Sequence, residues 1–255
     1  MSPFIAEMVG TAILIYLGDG VVANVVLKDT LGQSSGWIVI TWGWAMAVFV
    51  AVFIVGPYSG AHINPAVSVG LATAGVFAWS KVPIYVAAQF LGAMIGAVLV
   101  WLHYHPHFKA TDDADAKLGV FCTGPAIKEM PENFISEMLG TLMLVFAVLY
   151  LTGPQIDLSG VILGSPEAAP KGAVGLGSLD ALPVGLVVLS IGLSLGGSTG
   201  YAINPARDLS PRLVHQLLPI PGKRDSNWGY AWVPVVGPLV GGALAAVLSM
   251  IIGAA

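Results

Sequence analysis

The sequence of 255 residues is poor in charge, in cysteine and in basic clusters. Only 9% of its residues are Asp, Glu, Lys or Arg, whereas a soluble domain carries about 25%. Charged side chains are too few to cover a water-facing surface, which excludes a cytosolic enzyme and a disordered chain. The net charge of −4 and the lack of a basic run argue against binding to nucleic acid. The single cysteine, Cys122, permits no internal disulfide and no cysteine metal cluster.

The chain is rich in long apolar runs, and 56% of its residues are hydrophobic. A helix needs about 20 apolar residues to cross a bilayer. Six stretches qualify, at about 4–26, 37–55, 82–102, 134–152, 181–198 and 229–252. They are not the short alternating segments of a membrane β-barrel. The first residues lack the basic region of a signal peptide, so we expect the first run to stay in the mature chain. The sequence predicts an all-α, multi-pass membrane protein.

One charge-free stretch, between Asp29 and Lys81, is far longer than a single span. Gly and Pro residues from Gly56 onward interrupt it. Asn64 followed by Pro65 then favours a new helix, because Asn is a preferred N-cap and Pro suits the first helical position. Non-helical backbone at membrane depth must be buried in protein or line a wet cavity. We therefore predict a re-entrant loop over 56–75 that ends in a half-helix at about 64–75.

The same device occurs twice. The motif Gly60–Val67 recurs as Gly200–Arg207, 140 residues later, which predicts a second half-helix at about 204–217. Glu7 recurs as Glu137, and the pair Gly92 and Gly96 recurs as Gly237 and Gly241. The chain is thus predicted to form two repeats, at about 4–102 and 134–252. Each has three spans, so the two have opposite orientations. Inverted repeats place their functional site near the midplane, where broken helices meet.

These motifs resemble those of the major intrinsic protein family, the aquaporins and glycerol facilitators. The residues that carry the resemblance are Ser59–Val67 and Thr199–Asp208, with the paired Glu7 and Glu137. The resemblance covers essentially the whole chain. It implies a homotetramer in the membrane lipid, with one pore per subunit and both termini cytoplasmic. It also implies passive flow of water or small neutral solutes. The short termini and compact loops favour a bacterial plasma membrane.

The half-helices predict how a pore of this kind treats its solutes. The side-chain oxygens of Asn64 and Asn204 cap their helices, which leaves the side-chain NH2 groups free to donate into the lumen. The unwound segments cannot form helical hydrogen bonds, so their carbonyls are expected to line the pore. These carbonyls belong to Gly60, Ala61, His62, Ile63, Gly200, Tyr201, Ala202 and Ile203. The facing helix N-termini oppose cations and protons.

Arg207 lies within the membrane region, where an ionisable residue is a functional candidate by default. The resemblance places it at the narrowest constriction, together with Trp44, Gly192 and Tyr201. Trp42 is the alternative to Trp44 if the second span is shifted. Gly192 is expected to leave space where water-selective members carry a bulky His.

Glu7 and Glu137 are expected to bind backbone N–H groups of the re-entrant loops, with His62 assisting in the first half. A proton relay is the alternative. Placing the charges along the spans leaves Glu7, Glu137 and Arg207 as the principal buried ones. Asp208, directly after the second motif, resembles the glycerol-conducting branch of the family.

Two further features are discounted as functional sites. The segment His103–His107 resembles a metal cluster, but Pro106 disrupts regular geometry, and a solvated loop without metal is expected. The segment 153–180 is longer than the family usually has there and is either a mobile flap or a passive insertion.

The interpretation is a channel for glycerol, similar small neutral solutes and water, with no cofactor. A water-selective aquaporin and an inverted-repeat secondary transporter are the alternatives. No constellation of nucleophile, base and orienting residue is present, which argues against an enzyme.

Overall fold

A computed structural model describes residues 1–153, 155–156, 172–173 and 175–253. In chain order its helices are α1 (Pro3–Val26), α2 (Trp37–Ser59), α3 (Pro65–Thr73), α4 (Val82–His103), α5 (His105–Ala110), α6 (Ala114–Phe121), α7 (Met130–Tyr150), α8 (Leu182–Ser194), α9 (Pro205–Leu217) and α10 (Val233–Ile251). Short 3-10 turns, Trp79–Lys81 and Gly177–Ala181, precede α4 and α8. Among the described residues, six helical segments are long and apolar enough to cross a membrane: α1, α2, α4, α7, α8 and α10.

The predicted all-α fold class is confirmed, with one small addition. The two-residue strands β1 (Gln155–Ile156) and β2 (Gly172–Ala173) pair antiparallel, with Gln155 opposite Ala173. Most of the segment 153–180 lies outside the described residues. The prediction that this segment is either a mobile flap or a passive insertion therefore concerns residues outside those that the structure describes.

Several element boundaries differ from those expected. Helix α2 continues through Gly56 and Pro57 to Ser59, so the first unwound segment begins at Gly60 rather than at 56. Gly60 ends the helix in the left-handed conformation, at a φ of 82°, which glycine adopts without steric cost. The fourth span begins early, at Met130, with a Pro in its first turn. The fifth ends at Ser194 rather than 198, and the last begins at Val233 rather than 229.

Glycines bring the long helices into close contact at two crossings. A Cβ at Gly92 of α4 would lie 2.1 Å from the carbonyl oxygen of Met8 in α1. A Cβ at Gly241 of α10 would lie 2.2 Å from the carbonyl oxygen of Met138 in α7. Real side chains do not tolerate such distances, so backbone meets backbone at both crossings. Small residues at helix interfaces are how membrane helices approach closely without a hydrophobic driving force.

The histidine-rich segment is more ordered than the expected solvated loop. Helix α4 extends to His103, and α5 begins at His105. His103 Nδ1 is 2.9 Å from the hydroxyl of Tyr16, and His107 Nδ1 is 3.0 Å from the carbonyl oxygen of Lys28. The described residues contain no group of three or more His, Cys, Asp or Glu arranged to hold a metal ion.

Candidate functional site

The two half-helices, α3 and α9, meet end to end through their N-caps. Asn64 Oδ1 accepts a hydrogen bond from the N–H of Ala66, and Asn204 Oδ1 accepts from the N–H groups of Ala206 and Arg207. Each Asn also donates across to the other half. Asn64 Nδ2 lies 2.8 Å from the carbonyl oxygen of Ile203, and Asn204 Nδ2 lies 2.9 Å from that of Ile63. The side-chain NH2 groups were predicted to be free to donate into the lumen, but one N–H of each is used to join the two halves and only the other remains.

The unwound segments before the two half-helices have matching, unusual backbones. The φ values are positive at Ala61 (50°) and Ile63 (42°) in the first segment, and at Tyr201 (39°) and Ile203 (43°) in the second. Positive φ is uncommon for residues with a side chain and is an outlier for β-branched isoleucine. Strained backbone persists only where its surroundings impose it.

Buried carboxylates hold these strained segments in place. Glu7 accepts hydrogen bonds from the N–H groups of His62 and Ile63, at 2.9 and 2.7 Å, and from the side chains of Ser59 and Gln89. In the second half Glu137 accepts from the N–H groups of Ala202 and Ile203, both at 2.9 Å, and from the hydroxyl of Thr199.

The side chain of His62 contributes separately. Its Nδ1 is 3.0 Å from the hydroxyl of Ser68 in α3, so the loop is also linked to the half-helix that follows it.

A cavity of about 270 Å³ runs along the unwound segments and past the helix caps. Its lining combines residues of both unwound segments and both capping asparagines with a set of aliphatic side chains. The loop residues that line it are Gly60, Ala61, His62, Ile63, Tyr201, Ala202 and Ile203, and the apolar residues are Leu14, Val48, Val52, Val67, Leu71, Leu144, Val148, Leu151, Val184 and Val188. Such a lining suits a small molecule that carries both hydroxyl groups and carbon.

Trp44, Tyr201 and Arg207 surround the cavity next to these caps. The guanidinium carbon of Arg207 lies 4.1 Å from the centre of the Trp44 ring, a cation–π contact. Trp44 is only 4% exposed, whereas Trp42 is 48% exposed on the outside of α2. Of the two candidate tryptophans, Trp44 is therefore the one at the cavity.

Gly192 lies behind Tyr201. A Cβ there would come within 2.9 Å of the Tyr201 ring and of Thr41 Cγ2. Gly192 was expected to leave space, and the ring of Tyr201 occupies that space by packing directly against the glycine.

The comparisons with known proteins agree with this architecture. The family model described as "Major intrinsic protein" matches residues 1–249. The chain belongs to the major intrinsic protein family.

Individual relatives point to one branch of this family. The chain is 57% identical over 248 residues to a probable glycerol uptake facilitator protein of Thermotoga maritima, covering 97% of this chain and 98% of that protein. It is 50% identical over 247 residues to the glycerol uptake facilitator protein of Bacillus subtilis, covering 97% and 83%. An X-ray structure of the aquaglyceroporin from Plasmodium falciparum is 31% identical, with a TM-score of 0.78 and coverage of 96% of this chain and 93% of that one. The resemblance read from the motifs and the multi-pass membrane location are thereby confirmed.

A buried ion pair joins the second half-helix to two loops. Asp208 and Arg212 are fully buried in α9 and 2.8 Å apart. Asp208 accepts hydrogen bonds from the N–H and hydroxyl of Thr123, and Arg212 donates to the carbonyl oxygens of Thr123 and Ser226. Asp208, which the sequence analysis treated only as a mark of one branch, thus fixes the loops around α9.

The list of principal buried charges, Glu7, Glu137 and Arg207, was therefore incomplete. Asp208, Arg212 and Asp19 are also fully buried. The i,i+4 spacing of Asp208 and Arg212 was visible in the sequence and is a recognisable ion-pair signal on a helix. For Asp19 the signal was a carboxylate within an apolar span, the same signal that identified Glu7.

Proposed function

We propose that the protein is a passive channel that conducts glycerol and similar small neutral solutes together with water. The cavity supports this proposal, because residues of both unwound segments and the two capping asparagines line it together with aliphatic side chains. We infer that the loop carbonyls face the lumen opposite these aliphatic side chains. The carbonyls accept hydrogen bonds from hydroxyl groups, while the apolar wall contacts the carbon chain. The relatives named as glycerol uptake facilitators support the same solute class.

The mechanism follows from the residues along the cavity. A polyol moves between the carbonyls of the two unwound segments, which replace the water around its hydroxyl groups. At the centre the remaining side-chain N–H of Asn64 and of Asn204 donates to a passing oxygen. At the constriction the faces of Trp44 and Tyr201 contact the carbon chain, while the Arg207 guanidinium donates to its hydroxyls.

Exclusion of cations and protons belongs to the same proposal. The N-termini of α3 and α9 lie together, linked by the crossed Asn–Ile hydrogen bonds. Each N-terminus carries roughly half a positive charge. Two such ends at one depth oppose a cation at the centre and orient a water molecule so that it cannot pass a proton along the chain.

The assembly that we propose is a homotetramer in a bacterial plasma membrane, with both termini cytoplasmic. Large apolar side chains are exposed on the outer surface, including Ile38 at 64% and Leu99 at 42%. They suit contact with lipid and with neighbouring subunits. Native mass spectrometry of the detergent-solubilised protein tests the subunit number. A monomer in mild detergent contradicts it.

The channel function is tested by stopped-flow light scattering on proteoliposomes, with glycerol as the osmolyte. We expect glycerol and water fluxes well above those of empty liposomes. Val188→Trp fills the cavity and should reduce both fluxes to the lipid baseline. The matched control is Leu186→Trp on the same helix, because Leu186 is 43% exposed on the outer surface and should leave both fluxes unchanged.

Other outcomes identify the alternatives. Fast water flux with glycerol at the lipid baseline indicates a water-selective aquaporin. Saturable accumulation of a solute against its gradient indicates a secondary transporter. Either result contradicts the proposal.

A further inference from the structure

Asp19 is a buried carboxylate that no family motif accounts for. It lies in the last third of α1 with none of its surface exposed. Neither carboxylate oxygen has a hydrogen-bond partner among the described residues. The nearest opposite charge is Arg207, whose Nη1 is 3.7 Å from Asp19 Oδ1. An isolated carboxylate at this depth is costly, so its presence requires that partner.

Asp19 and its neighbour Gly18 contact two different members of the constriction. A Cβ at Gly18 would lie 2.2 Å from the Trp44 ring, so the indole packs directly on the α1 backbone. Asp19 faces the guanidinium of Arg207, which in turn lies over the same indole. Arg207 is thus held between a carboxylate and a ring. Consecutive residues of α1 set the positions of both.

The other carboxylates near α9 and the second unwound segment already have partners. Asp208 pairs with Arg212 at 2.8 Å and accepts two hydrogen bonds from Thr123. Glu137 accepts hydrogen bonds from the second unwound segment. This leaves Asp19 as the carboxylate that compensates the charge of Arg207.

We propose that Asp19 is a positioning residue that determines the charge selectivity of the constriction. Its carboxylate cancels the charge of Arg207 and holds the guanidinium against Trp44. The guanidinium therefore offers hydrogen-bond donors to neutral solutes without creating a site that attracts small anions. This inference rests on the proposed channel function, since it concerns the residues at the cavity's constriction.

Asp19→Asn tests the proposal because it removes the charge and keeps an oxygen that can accept from Arg207. Purified protein in liposomes is assayed for nitrate influx, with potassium and valinomycin supplying the counter-ion, and for water and glycerol flux. We expect nitrate influx to rise about tenfold over the wild type, since an uncompensated charge a few ångströms from the lumen is weakly screened at this depth. Glycerol flux should stay within about threefold, because uncharged solutes respond less to the field.

Two further variants separate charge from packing. Asp19→Glu keeps the charge and should retain anion exclusion. Asp112→Asn makes the same chemical change at a carboxylate that is 97% exposed outside the spans, and it should leave all three fluxes at the wild-type level. Wild-type nitrate influx in Asp19→Asn, with normal water flux, overturns the proposal.

If Asp19→Asn is not recovered as folded protein, the double variant Asp19→Asn/Arg207→Gln leaves neither charge unpaired. Restored yield then supports the pairing, and continued loss overturns it. The nitrate comparison does not depend on glycerol transport. A wild type that conducts water alone would refute the proposed solute and leave the test of Asp19 intact.

Discussion

At the scale of single residues, the position of Tyr201 beside the cavity depends on two glycines that lie behind its ring. A Cβ at Gly196 would lie 2.4 Å from Tyr201 Cδ1, and one at Gly192 would lie 2.9 Å from Cζ of the same ring. The indole of Trp37 adds an edge contact to Tyr201 at 5.7 Å between ring centres and donates to the carbonyl oxygen of Gly192. The ring of Tyr201 fits beside Gly192 and Gly196 because neither residue has a side chain.

Gly192→Ala should therefore affect the pore through Tyr201. The new methyl group forces the ring toward the lumen, which narrows the passage for a polyol more than for water. We expect glycerol flux to fall about tenfold, equivalent to about 1.4 kcal/mol, and water flux to fall less. Stopped-flow measurement of both fluxes checks this.

The matched control is Gly197→Ala, five residues along, where an added Cβ meets no described residue within 4 Å. It should conduct like the wild type. Equal losses of water and glycerol flux in Gly192→Ala would mean that Tyr201 does not set the width of the passage.

At the scale of elements, α9 has three separate attachments. Its N-terminus is joined to the other half of the chain through Asn204. Its middle is joined to the surrounding loops through Asp208 and Arg212. The Lys223 ammonium group adds hydrogen bonds to the carbonyl oxygens of His215, Gln216 and Leu218, where α9 ends. The half-helix is thus held along its whole length, although it does not cross the membrane.

Asp208→Asn should destabilise this attachment strongly. It leaves Arg212 fully buried with its charge uncompensated, and removal of one partner of a buried pair costs about 3–5 kcal/mol. We expect a marked fall in the melting temperature of the detergent-solubilised protein. Asp225→Asn is the control, because its carboxylate lies at an exposed position in the loop that follows α9. An unchanged melting temperature for Asp208→Asn would contradict the role assigned to the pair.

At the scale of the whole molecule, the two glycine crossings have the same form. Met8 and Gly92 bring α1 and α4 together, and Met138 and Gly241 bring α7 and α10 together. Glu7 lies next to the first crossing and Glu137 next to the second. Each crossing therefore sets the position of the carboxylate that holds an unwound segment, so helix packing and pore geometry are coupled.

Gly92→Ala and Gly241→Ala should destabilise the protein by similar amounts. Each forces a Cβ against a backbone carbonyl, and overpacking of this kind costs about 1–3 kcal/mol. Melting temperatures in detergent check the prediction, with Gly119→Ala as a control because a Cβ there meets nothing within 4 Å in the part of the chain that the structure describes. A melting temperature equal to that of the wild type for either variant would show that the two helices at that crossing move apart without loss of stability.

The broad architecture was predictable from the sequence because membrane spans and helix caps are local signals. Runs of apolar residues marked the spans, and Asn64–Pro65 and Asn204–Pro205 marked the half-helices. The pairing of Asp19 with Arg207 was not predictable, since the two residues are far apart in the chain and meet only through the fold. The end of α2 was placed too early for a different reason: a proline within a packed membrane helix does not have to end it.

The packing of Tyr201 against Gly192 was not predictable, because a glycine in a sequence shows that a side chain is missing but not what fills its place. Only the fold brings Tyr201 against it. The same limit applied to the asparagines. Their capping role is local and was visible, whereas their bonds to Ile63 and Ile203 connect residues about 140 positions apart.

Those crossed bonds also set an order for biogenesis. The segment ending at Ile63 enters the membrane early in synthesis, but its carbonyl acquires its partner only after Asn204 has left the ribosome. Until then, this carbonyl oxygen at the end of the first unwound segment lacks the hydrogen bond from Asn204. The hydrogen bonds at the centre of the molecule are therefore completed only when both halves of the chain have been made.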